Sequence, residues 1–133
     1  MKKCWGSTNQ IISSRHYSKY ELGLDINGYC SIHYHSSMVN SFSVVSGCVE
    51  VVEFYGPCVT KHMLGIGSSI SINSLVPHMF IVYKAGKMIE EYYPDRGGLV
   101  DENDIVRLVN GGVASHNSEL VDLPYRLMMS IIR

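Results

Sequence analysis

The sequence predicts an all-β domain, a sandwich or a barrel. Three observations carry this. Short apolar runs follow one another along the chain and are punctuated by Gly, Pro and Asn. Several of them alternate apolar with polar or small residues, the period-two signature of a strand with one face buried. Helical periodicity is weak throughout.

Taken in order, residues 17–24 form the first strand candidate. Residues 43–55 are rich in Val and Phe and are interrupted once, at Gly47. Gly56-Pro57 is a turn signal, and 58–64 is a further strand candidate. Residues 69–73 alternate Ser and Ile. Residues 78–83 and 88–93 flank Ala85-Gly86-Lys87 and read as a hairpin. Residues 101–109 have room for one short helical turn, because Asp101 and Glu102 suit a helix start. Residues 125–132 are nearly continuously apolar, which fits a strand or a buried helix equally well.

The chain of 133 residues suffices for one domain, 1–133, with one core. Its 46% apolar and 17% charged residues describe a folded chain rather than a disordered one. Eleven Lys and Arg stand against twelve Asp and Glu with no basic block, so no nucleic-acid or membrane-surface partner is expected. No apolar run approaches the roughly 20 residues of a membrane span. The first ten residues hold two lysines but no apolar stretch behind them, so no leader is expected and the cytoplasm is the expected compartment. Cys4, Cys30, Cys48 and Cys58 form no Cys-x-x-Cys pair and read as small buried hydrophobes.

His33 and His35 are the chemical focus. Residues two apart in a strand share a face, so the two imidazoles lie side by side. A third imidazole from a neighbouring strand would complete a facial set of nitrogen ligands, with the remaining metal positions open to water or substrate. His78 is the candidate, whereas His16, His62 and His116 lack any such context. A lone histidine is usually a surface or core residue, and only the combination points to a metal.

Gly28, His33-Tyr34-His35, Asn40 and Gly47 together resemble the first motif of the cupin superfamily: a glycine, His-x-His, a glutamate and a closing glycine. The stretch from Gly67 to His78 resembles the second motif, with Asn73 and Leu75 where proline and glycine are common. The likeness spans about Gly28 to Tyr93. It implies a double-stranded β-helix, a jelly-roll-like barrel of two packed antiparallel sheets. It also implies a divalent ion (Zn, Mn, Fe, Co or Ni) held by His33, His35 and His78. Asn40 occupies the usual glutamate position and is a possible fourth ligand through its oxygen, weaker than a carboxylate.

Trp5-Gly6, the HYH segment and Asp104-Ile105-Val106-Arg107 occur in the order seen in cupin-type mannose-6-phosphate isomerases, which this chain resembles. The resemblance implies that Arg107 contacts a sugar phosphate, a role its fork of donors suits. The alternative is a surface ion pair with Asp101 or Asp104. Such isomerases move a proton between adjacent carbons of an opened sugar, which requires a base. Alternation turns only one of Glu90 and Glu91 inward, and it is Glu90 if Met88 and Tyr92 face the barrel. Phe42 shares a face with Asn40, and Phe80 with His78, so both are expected to line or floor a binding pocket shared with Arg107 and Asn40. Tyr34 points the other way and is expected to pack.

The functional expectation is thus a metal-binding cupin of sugar-phosphate isomerase type, with Glu90 and Arg107 as its catalytic pair. Two alternatives stay open: a non-catalytic sugar- or nucleotide-binding module, and a three-His iron dioxygenase. A homodimer is also expected, because the apolar segment Leu-Met-Met-Ser-Ile-Ile near the C-terminus would be a hazard if exposed.

Overall fold

The computed structural model describes residues 1–131. Its first strands are β1 (Lys2–Lys3), β2 (Gly6–Ser13), β3 (Ser18–Leu24), β4 (Gly28–Tyr29), β5 (Ile32–Tyr34) and β6 (Met38–Tyr55). They are followed by β7 (Cys58–Leu64), β8 (Ser69–Ile72), β9 (His78–Pro94), β10 (Val106–Val109) and β11 (Gly112–Val113). A 3₁₀ turn over Asn117–Glu119 leads to helix α1 (Leu123–Ile131).

β6 and β9 form the spine. They are antiparallel partners from Met38–Pro94 at one end to Glu53–His78 at the other. Each bends midway, and its two halves take different partners within one curled sheet. The first half of β6 and the second half of β9 lie between β8 and the β3–β2–β1 ribbon. The second half of β6 and the first half of β9 lie between β7 on one side and β4 and β5 on the other, which in turn pair with β11 and β10. All pairings between these strands are antiparallel.

The bend explains why residues 78–93 form no hairpin. Gly86 marks a close backbone approach, the other use of a strand glycine. A Cβ there would lie 2.1 Å from the Ser46 carbonyl oxygen, and at Gly47 (φ +87°) it would lie 2.6 Å from that of Lys84. The register shifts around Ser46 and Cys48 let both strands turn the same corner. Gly47 accordingly lies within β6 and does not end it.

The predicted alternation holds where one face is buried. Asn40, Phe42 and Val44 point inward while Val39, Ser41 and Ser43 are half-buried. From Val49 to Val52 every side chain is buried. Val51 sits opposite Phe80 and faces the barrel, whereas Glu50, Val52 and Phe54 face outward beneath the C-terminal segment. That segment is tied down by Lys61, whose ammonium donates to the Val121 carbonyl (2.6 Å) and lies 4.8 Å from the centre of the Tyr125 ring. Leu127, Met128 and Ile131 pack on the barrel while Met129 is 49% exposed; Ile132 lies outside the described residues.

Two further expectations change. Residues 101–103 form a turn in which Asp101 Oδ1 accepts from the Asn103 N–H (2.9 Å), and the chain then enters β10 rather than a helix. Cys30 is buried, but Cys4 and Cys58 are exposed because each sits at a strand margin. Among the described residues no helix is long and apolar enough to cross a membrane.

Candidate metal centre

β5 and the start of β9 lie side by side, which sets His33 directly opposite His78. His35 follows just beyond the end of β5. The imidazole centres are 4.6 Å (His33–His78), 5.1 Å (His33–His35) and 5.5 Å (His35–His78) apart. One ring nitrogen from each falls within 4.8 Å of the others.

The tautomers follow from the outer hydrogen bonds. His33 Nδ1 lies 2.9 Å from the Ser31 carbonyl oxygen, His35 Nδ1 2.7 Å from that of Asp104, and His78 Nδ1 2.8 Å from that of Val76. A carbonyl only accepts, so each Nδ1 carries the hydrogen and each Nε2 keeps its lone pair. This is the arrangement that orients histidines toward a metal. Burial, reinforced by the neighbouring imidazoles, holds His33 well below the usual histidine range. Burial also lowers His35, and lowers His78 to about 4 against its bond to Val76. Near neutral pH the three rings are therefore uncharged donors.

Two features fit a cation. His35 Nε2 is buried with no hydrogen-bond partner, which costs stability unless something fills the site. Asn40, fully buried, presents Oδ1 3.0 Å from His78 Nε2. Its amide nitrogen faces Glu90 Oε2 (3.3 Å) and the Glu91 carbonyl (3.4 Å), which fixes that orientation. Two lone-pair atoms thus face one another. A divalent ion taking three nitrogens and one amide oxygen would satisfy both.

The site opens into a cavity of about 500 Å³. Its walls include His33, His35, Phe80, Glu90 and Arg107. Glu90 is the inward member of the glutamate pair; Glu91 turns away and accepts from the Tyr17 hydroxyl. Burial pushes Glu90 up to about 7, against hydrogen bonds from Tyr92 (2.9 Å) and Asn40. Arg107 sits opposite His33 across β10 and β5. Among the described residues it has no carboxylate partner at ion-pair distance. The Asp104 carboxylate instead accepts from the Ser36 and Ser37 backbone N–H groups (2.8 and 2.9 Å).

Phe42 is 1% exposed and packs behind His78 and Phe80, with ring centres 6.2 and 5.9 Å away, so it backs the site as a floor. Sequence reasoning assigned no site role to Lys3, Tyr20 or Glu102, which also line the cavity. Tyr20 and Gln10 each donate to Glu102 Oε1 at 2.7 Å. These contacts join segments more than 80 residues apart and leave no local signal. Tyr92 was legible only through its alternation with Glu90.

No family model matches the chain, and no curated protein matches it in sequence. Solved structures do. Oxalate decarboxylase from Bacillus subtilis aligns with TM-score 0.61 and 14% identity over 81% of this chain, which spans 32% of that one. An RmlC-like cupin from Shewanella frigidimarina aligns with TM-score 0.61 and 18% identity, over 71% of this chain and 80% of that one. The DMSP lyase DddQ from Ruegeria pomeroyi aligns with TM-score 0.62 and 17% identity, over 76% and 50%. At such identities the shared property is the fold: the chain has the cupin fold, with a buried three-histidine cluster inside it.

Proposed function

We propose that this protein is a divalent-metal enzyme that moves a proton between adjacent carbons of a small anionic sugar derivative, of the sugar-phosphate isomerase type. One observation carries the reading: the inward carboxyl on the second half of β9, Glu90, shares a cavity with His33 and His35 and is linked to His78 through Asn40. A bound ion would supply Lewis acidity toward the substrate's carbonyl and hydroxyl oxygens. Glu90 would take the proton from one carbon and return it to the next, Tyr92 and Asn40 holding its carboxyl in place. Arg107 would bind the anionic group. A cavity of about 500 Å³ is ample for a sugar phosphate.

The amide at position 40 favours a second reading, a module that binds such a ligand without turning it over, since a neutral donor leaves the ion weakly held. The test loads the protein in turn with Zn, Mn, Fe, Co and Ni. Each form is incubated in D₂O with mannose 6-phosphate and related sugar phosphates, and the C2 hydrogen is followed by NMR. Wash-in of deuterium, reduced about 10²–10⁴-fold by Glu90→Gln, is expected. Binding without exchange supports the second reading. Oxygen consumption by the Fe(II) form instead would support a three-His dioxygenase.

A further inference from the structure

The three histidines are oriented in two different ways. His33 and His78 each use the carbonyl two residues earlier in their own chain, Ser31 and Val76. Their orientation comes with the local strand. His35 uses the carbonyl of Asp104, 69 residues away. Its orientation exists only when the segment between β9 and β10, residues 95–105, lies across the barrel mouth.

That segment is a strap with several ties. It leaves β9 through Gly97 and Gly98, both at positive φ (+70° and +96°). Val100 N–H donates to the Arg15 carbonyl (2.7 Å), and Glu102 accepts from Gln10 and Tyr20. Val100, Glu102 and Ile105 line the cavity. The last tie is Asp104. Its carboxylate takes the N–H groups of Ser36 and Ser37 and the Ser37 hydroxyl (3.1 Å), while its backbone oxygen takes the imidazole of the residue just before them. One residue thus grips three consecutive positions, 35 to 37.

We infer that Asp104 is a positioning residue that makes closure of the strap and alignment of His35 a single event. This rests on the metal-centre reading above. With the strap docked, His35 presents Nε2 to the ion; with the carboxylate tie lost, the carbonyl drifts and the ring is free to rotate or change tautomer. His33 and His78 keep their own carbonyls and stay aligned.

The test compares wild type, Asp104→Ala and Asp104→Asn with two readouts. Long-range ¹H–¹⁵N spectra of the metal-free proteins report the imidazole tautomers. Competition with a chromophoric chelator reports Zn(II) and Co(II) affinity. In Asp104→Ala, which keeps the carbonyl but loses the carboxylate that anchors it, His35 alone should lose its pure Nδ1–H form, and affinity should fall about 10–100-fold, the usual effect of losing an outer partner of a ligand. Asp104→Asn, which keeps an acceptor for one serine amide, should recover part of both. The inference is overturned if His35 and the affinity stay within about twofold of wild type, or if all three histidines change together. Should Asp104→Ala not fold, Asp104→Asn decides by the same criteria. Should wild type itself bind no metal, the metal centre fails, while the His35 spectrum still decides the role of Asp104.

Discussion

Leu75 offers a sharp test of how backbone strain is distributed beside the site. It sits in the left-handed region at φ +68° and is 64% exposed. Its N–H donates to the His35 carbonyl (2.7 Å), so the loop before β9 is braced against the histidine segment in this conformation. Holding an L-residue there costs about 1–2 kcal/mol. Glycine removes that cost but adds back roughly 0.4–1 kcal/mol of unfolded-chain freedom. The exposed leucine side chain gives up little burial. Leu75→Gly should therefore stabilise the protein by about 0.5–1 kcal/mol, a rise of roughly 2–5 °C in Tm. Leu75→Ala keeps the left-handed penalty and should gain nothing, with Leu75→Asn falling between. Urea titrations at one pH measure all three. The reasoning is refuted if Gly is no more stable than Leu, or if Ala gains as much as Gly. Metal affinity should be undiminished in the glycine variant, since the N–H bond to His35 is kept.

Three further outcomes are expected. Glu50 is buried on the outer face of β6 with Oε1 unpartnered, and burial raises its pKa against the pull of Lys61. The folded state therefore holds this proton longer than the unfolded chain, and stability falls as pH rises from the ordinary glutamate value, about 4.3, through the raised one. Glu50→Gln should match wild type near pH 4 and exceed it at pH 8 by about 1 kcal/mol in urea titrations; a gain independent of pH would refute the assignment. Gly86→Ala drives a methyl into the Ser46 carbonyl and should cost about 3 kcal/mol or more by calorimetry. His78→Ala should abolish equimolar metal binding by elemental analysis, and stripping wild type with a chelator should remove stabilisation of about 2.7 kcal/mol where free metal had stood at a hundredfold its Kd.

Much of the fold was legible because strand geometry is local. Alternation placed Asn40, Phe42 and Val44 on one face and set His33 beside His35 with no knowledge of the rest of the chain. Where both faces are covered, as in Val49–Val52, alternation vanishes, and only packing beneath the C-terminal segment explains the run. Gly86 reads as a turn in the sequence because a turn and a strand corner require the same residue; the difference lies in Ser46, 40 positions earlier in the chain.

The same division runs through the site. Alternation along one strand was enough to set His33 beside His35 and to prefer Glu90 over Glu91, whereas His78 and Asn40 came into view through the resemblance to the cupin motifs. Tertiary structure alone decided that Asn40 aims its oxygen at His78, that Phe42 stands behind the site, and that His35 is held by Asp104. Those contacts depend on which distant backbone groups the closed barrel brings within about 3 Å, a distance at which hydrogen bonds form and which no local repeat encodes.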